Sequence, residues 1–226
     1  MVEECAIVIA HVSTGRIGNL NFGNTPCLVS KSKPGQKRRT EFTVEAISTQ
    51  SISEPLSTTE WIGINQSLSN SYVEYFMRLG AFDELGITKS STIRREVSVG
   101  DSRIDFEIDE TTFVEVKTPL IHIPGTGIGD SKPLTAFHRI VKHFDELASA
   151  VKSESSTGHL KRGIFLFCFF YDAPPFQRPP ATVNIEAITQ AAKRAKEAGV
   201  QFWQANFRVT PEGIHFLRVF RLESDY

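Results

Sequence analysis

Residues 94–117, RREVSVGDSRIDFEIDETTFVEVK, constrain this chain more than any other stretch. From Arg103 to Ile108 polar and apolar residues alternate, which predicts a strand with Ile104, Phe106 and Ile108 on one face and Arg103, Asp105 and Glu107 on the other. Asp105 is therefore expected to stand away from the core. Asp109 to Thr112 is a polar break of hairpin length, after which Phe113, Glu115 and Lys117 share one face and Val114 and Val116 the opposite one. Two carboxylates and an ammonium are thus expected on one side of a two-stranded ribbon.

Metal-assisted phosphodiester hydrolysis wants such a set. Mg²⁺ (or Mn²⁺) prefers oxygen ligands in a near-octahedral shell and keeps several waters, so Asp105 and Glu115 supply enough protein to hold it. Lys117 would then hold the attacking water or neutralise charge growing on the phosphorus centre. A bare D…ExK also describes two solvated positions on an edge strand beside an unrelated aspartate.

The run IRREVSVG, then SRIDF, then FVEVKTP resembles the central signature of the sugar fermentation stimulation protein family, whose C-terminal half belongs to the PD-(D/E)XK nuclease-like superfamily. By that resemblance Asp105, Glu115 and Lys117 match the family's D, E and K, and Glu96 its upstream glutamate. The resemblance implies a mixed sheet flanked by helices, a Mg²⁺- or Mn²⁺-dependent site on Asp105 and Glu115, and DNA as partner.

Composition sets the remaining limits. With 226 residues, 40% of them hydrophobic and 23% charged, the chain is expected to be a soluble globular protein of one large or two small domains. Its net charge of −1 means that nucleic-acid binding must come from a local patch. Cys5, Cys27 and Cys168 are scattered and lack CxxC spacing, which argues for a reducing compartment and against zinc. No apolar run reaches membrane-spanning length and the acidic start is unlike a secretory leader, so an intracellular location is expected.

Residues 5–12, CLVSKSK from Cys27 and EFTVEAIS from Glu41 read as short, closely spaced strands, the pattern of a small barrel. The segment AHVSTGRIGNL resembles part of the family's OB-like N-terminal region, which sets residues 1–60 as an OB-like unit and 61–226 as the nuclease-like domain. Between the strands, KSKPGQKRRTEF crowds Lys31, Lys33, Lys37, Arg38 and Arg39 around a Pro-Gly turn, suited to following a phosphate backbone or to being a solvated hairpin tip.

Beyond residue 60 the pattern alternates helix and strand. A helix capped by Ser69 or Asn70 carries Val73, Phe76, Met77 and Leu79 and stops at Gly80. Glu74 on that helix is a lesser candidate for the metal site, one place from the family's usual glutamate. Residues 124–133 are a Gly/Pro loop without the features of a phosphate cradle. A helix over about 134–151 follows, with Ile140, Phe144 and Leu147 inward. Its R-x-x-K-H-x-x-E-L resembles a family motif, and Arg139 and His143, one turn apart, are candidates to hold phosphate. GIFLFCFFYD is a strand buried on both faces, with Cys168 an inert core thiol. A helix ending at Gly199 and a hairpin turning at residues 210–213 close the chain. Three readings are carried forward: a Mg²⁺-dependent nuclease, a non-catalytic DNA-binding regulator of sugar metabolism, and a protein-interaction module.

Overall fold

The computed structural model describes residues 7–13, 24–32, 35, 39–48, 50, 60–99, 102–121, 123, 137–152, 160–177 and 184–223. Lys33, Lys37 and Arg38 and the Gly/Pro loop lie outside them. Three successive strands, β7 (Thr112–Lys117), β8 (Arg162–Phe169) and β9 (Val200–Thr210), run parallel at the centre of a mixed sheet. Parallel neighbours need a crossover, and helices α2 (Phe137–Lys152) and α3 (Ile185–Glu197) supply the two.

Both crossovers cover one face. Phe144 and Leu147 of α2 and Ile188, Ala191, Ala192 and Ala195 of α3 join Phe165, Phe167 and Phe202 of the sheet in one apolar cluster. On the other face α1 (Ser69–Arg78) seats Val73, Phe76 and Met77 against Ile164, Leu166, Cys168 and Phe207. Strand β8 is covered on both sides, as its unbroken apolar run requires, and Cys168 lies in the core. Burial pushes that thiol far above the ordinary cysteine range, so it stays protonated and inert. Leu79, expected inward, is half exposed at the end of α1, where Gly80 takes a left-handed φ of +76°.

The sheet extends to both sides of this centre. On one side β7 pairs antiparallel with β6 (Ser102–Ile108), and β6 with β5 (Ile93–Val99). The β6–β7 turn places Asp109 and Glu110 at φ of +50° and +60°, the left-handed pair of a type I′ turn, which matches strand twist. On the other side β10 (Gly213–Arg221) folds back on β9. The N-terminal strands β1 (Ala10–Val12), β2 (Cys27–Lys31), β3 (Phe42–Ser48) and β4 (Trp61–Gly63) join the same sheet, with Trp61 opposite Val209 as the ladder contact to β9. Hydrogen bonding therefore continues across residue 60. No helix among the described residues is long and apolar enough to cross a membrane.

That junction is tightly packed. The Gly63 N–H donates to the Phe170 carbonyl at 2.9 Å, and a Cβ at Gly63 would overlap Phe170 Cβ and approach Val209 Cγ2 to 2.9 Å. Gly63→Ala is therefore expected to destabilise the protein by about 1–3 kcal/mol, the usual cost of overpacking. Urea unfolding followed by far-UV circular dichroism measures it.

Candidate active site

The site forms where β6 and β7 part. Their ladder runs Ile108↔Thr112, Glu107↔Phe113 and Phe106↔Val114, and one more step in that register would set Asp105 opposite Glu115. Instead the Val116 N–H donates to Asp105 Oδ2 at 2.8 Å. Asn70 Nδ2 of α1 donates to the other carboxylate oxygen at 2.7 Å. A side chain has taken over a ladder hydrogen bond, and beyond that point the strands diverge.

The facing edge of β6 is irregular at the same level. Pairs with β5 are formed by Arg95↔Phe106 and Val97↔Ile104, and between them Glu96 has a left-handed φ of +53°, unusual for a non-glycine residue in a strand. The kink corrects the strict alternation expected for residues 104–108. Phe106 and Ile108 pack on the α1 side, but Ile104 packs in the opposite cluster. Asp105, at the crossover between the two faces, is largely buried rather than standing out in solvent.

On β7 the expected alternation holds, with Phe113 in one cluster and Val114 and Val116 in the other. Glu115 is buried, and its Oε1 accepts from Lys117 Nζ at 2.5 Å and from His143 Nδ1 of α2 at 2.6 Å. Burial raises the proton affinity of Glu115, but the His143 hydrogen bond and the Lys117 ammonium outweigh it, leaving the carboxyl below its ordinary range. Asp105 moves the other way. Burial and the negative charge of Glu115 lift it, against the Val116 N–H, Lys117 and Asn70. In this coupled pair the negative charge rests on Glu115, and Asp105 is the carboxyl that resists ionising.

The other sequence candidates fall elsewhere. Glu96, half exposed, lies 3.6 Å from Arg103. Glu74 is engaged by Arg78 at 2.7 Å and by Arg95 at 3.4 Å, so two guanidiniums hold it. Lys31 pairs with Glu41 at 2.9 Å, and Arg39 is exposed. Arg139 is exposed on α2, whereas His143 one turn on is turned inward to Glu115. Among the described residues no group of three His, Cys, Asp or Glu side chains is arranged to hold a metal ion.

Other residues build the surroundings without announcing themselves in the sequence. Asn70 reaches Asp105 across 35 residues and does not cap α1, whose N-cap position is Leu68. Asn65 caps the preceding short 3-10 turn through the Ser67 N–H. Gln66 Nε2 donates to the Thr118 carbonyl, tying that turn to the residue after Lys117. The segment after β8 is clamped from below by two buried amides of β9. Gln204 accepts from the Phe176 N–H at 2.7 Å and donates to the Pro174 carbonyl at 3.0 Å, while Asn206 donates to the Ala173 carbonyl at 2.6 Å. Phe176 then stacks on Phe167, the β8 partner of Lys117, with ring centroids 4.1 Å apart. Alternating polar residues in QFWQANF are the one signal that β9 carries something other than core.

The fold and site together define a mixed α/β protein with a buried carboxylate pair and a lysine at the C-terminal end of a central strand. The model of the family described as "Sugar fermentation stimulation protein RE domain" matches residues 67–213, and the chain belongs to that family. Two proteins named "Sugar fermentation stimulation protein homolog" are similar along most of their length. That of Natranaerobius thermophilus is 26% identical over 92% of this chain and 81% of its own, and that of Synechococcus elongatus 29% identical over 92% and 79%. Among solved structures, that of Pyrococcus furiosus SfsA in complex with Ca²⁺ shares the fold, with a TM-score of 0.59 and 20% identity, covering 87% of this chain and 77% of that one.

The opposed shifts set a pH test. Asp105 is raised above its ordinary 3.8, so its contribution is fully present below that pH and is lost as pH rises through the folded-state value. Asp105→Asn removes this loss. Its melting temperature relative to wild type is expected to be higher at about pH 8 than at about pH 4, which paired thermal scans measure.

Proposed function

We propose that this protein is a divalent-metal-dependent phosphodiesterase acting on DNA. The observation that carries this reading is the bond from the Val116 N–H to Asp105, which holds that carboxylate at the residue between Glu115 and Lys117. The donor set fits a hard cation: both groups are oxygen ligands, and Asp105 resists ionisation because Glu115 is already charged, a conflict that a divalent ion relieves. The Ca²⁺ complex of the Pyrococcus furiosus relative is in keeping with an oxygen-rich site.

Asp105 and Glu115 would hold Mg²⁺ or Mn²⁺. The bound cation would polarise a phosphoryl oxygen and lower the pKa of a bound water. Asn70 and the Val116 amide fix the Asp105 carboxylate, and His143 fixes that of Glu115, so neither need reorganise when substrate arrives. Lys117 orients the attacking water and offsets negative charge in the transition state, while Glu96 at the strand kink assists from the rim. Arg139, together with Lys31, Lys33, Lys37, Arg38 and Arg39, binds phosphates along the strand. In this reading His143 serves Glu115 in place of a phosphate. Residues 1–60 act as an OB-like DNA-holding unit and residues 61–226 as the PD-(D/E)XK nuclease-like domain.

A second reading, a DNA-binding regulator without turnover, is favoured by one observation. Glu115 already has two hydrogen-bonding partners within the protein, the Lys117 ammonium and the His143 ring, so its carboxylate is satisfied as it stands. Incubation with linear, single-stranded and branched DNA plus Mg²⁺ or Mn²⁺ separates the two. Wild type is expected to cleave, and Asp105→Ala to lose at least about 10²-fold in rate, the scale of one preorganised electrostatic contact, while DNA binding survives. Equal nicking by both proteins points to the regulator.

A further inference from the structure

A cavity of about 210 Å³ opens on the other side of α1 from Asp105, between β2, β3, β4 and the β9–β10 turn. Its polar end is the carboxylate of Glu45. Asn65 Nδ2 donates to Glu45 Oε2 at 2.8 Å and Ser30 Oγ to Oε1 at 2.5 Å, which fixes the group in one orientation. Each oxygen keeps a second lone pair for a ligand. Burial, helped by the negative charge of Glu45, pushes the Tyr72 hydroxyl up to about 12, so it stays a neutral donor. Val29, Phe170 and Val209 form apolar walls, and the Tyr72 ring stands edge-on to Phe170 with centroids 5.4 Å apart.

The lining says what this cavity refuses and what it takes. Among the described residues its lining has two carboxylates, Glu45 and Glu212, and no lysine, arginine or histidine, which disfavours a phosphate or other anion. Its size falls below the ~300–1,000 Å³ of pockets that enclose drug-sized ligands, which suits one planar ring system. A fixed carboxylate facing apolar and aromatic walls is complementary to a flat heterocycle with adjacent N–H donors. Among the nucleobases, guanine presents two parallel N–H donors on its Watson–Crick edge.

We propose that this cavity binds a single unpaired guanine base of the DNA strand engaged at the Asp105–Glu115 site. The proposal rests on the DNA reading above. Asn70 and Tyr72 are two residues apart on α1, hence about 200° around the helix, and look to its two sides. The helix diameter of about 10–12 Å then separates the cavity from the notch, a span that an unpaired strand crosses in a few nucleotides. The cavity thus gives the enzyme a base preference a short distance along the strand from the scissile phosphate, read from an unpaired base.

The test uses guanosine, which carries no phosphate, with thymidine as control, titrated into the full-length chain and followed by saturation-transfer NMR. Guanosine is expected to bind and thymidine not. Glu45→Gln replaces one acceptor oxygen by a donor and is expected to weaken guanosine about tenfold or more. Val29→Trp, at a partly exposed wall position, is expected to abolish binding by filling the cavity, and Asp105→Ala to leave it unchanged. No guanosine binding, equal binding of thymidine, or indifference to both cavity variants overturns the proposal, as does preference for phenethylamine over guanosine. The failures are separable. A protein that cleaves DNA but ignores guanosine loses only the cavity assignment. One that binds guanosine through Glu45 but neither binds nor cuts DNA loses the nuclease reading and the strand assignment with it.

Discussion

One hydrogen bond organises the functional half of this molecule. Had the Val116 N–H continued the ladder to the β6 backbone, β6 and β7 would have stayed paired and Asp105 would have been one more side chain on a pleated surface. By accepting that N–H itself, the carboxylate ends the pairing and leaves a notch at the strand ends. The backbone group remains satisfied, as burial demands, so the notch costs the sheet little. Asn70 secures the other oxygen from α1, which couples the position of a helix on one face to the depth of the notch.

The two acids are then made unlike by what surrounds them. Glu115 faces the crossover side, where α2 brings His143 and β7 brings Lys117, and its charge is welcome there. Asp105 has two hydrogen-bond donors of no net charge, Asn70 and a backbone amide, and feels Glu115 besides. Two carboxylates in one site thus have separate protonation tendencies without any difference in residue chemistry, the usual way a protein divides roles between equivalent groups.

Much of this architecture was legible in the sequence. The apolar run of β8 announced a buried central strand, the 3.6-residue spacing around Phe144 announced the first crossover helix, and D…ExK within its wider signature announced the family. What period-two patterning could not convey was a local break in the period. Ile104, Asp105 and Phe106 alternate faultlessly in sequence, yet the kink at Glu96 and the side-chain hydrogen bond at Asp105 turn Ile104 to the other face. Nor do the partners of the acids follow from spacing. Asn70 lies 35 residues from Asp105, and His143, read as an outward phosphate ligand, is turned inward because Phe144 and Leu147 fix the rotation of α2. The amide clamp of Gln204 and Asn206 was invisible for the same reason: a polar residue in a strand advertises exposure until a loop is known to fold over it.

The junction at Trp61 and Val209 has a consequence for cooperativity. A sheet transmits stability from strand to strand chiefly through its ladder, and between β4 and β9 that ladder is a single pair, supplemented by the Gly63 bond to Phe170. The strands before it share one sheet and one core with those after it, but with so thin a ladder amide exchange is expected to find the leading strands opening at a smaller free energy than the phenylalanine-rich centre. Drift in the sequence or length of that leading segment can therefore be absorbed without disturbing the notch, which gives the fold a part free to change its partners beside a part that must not move.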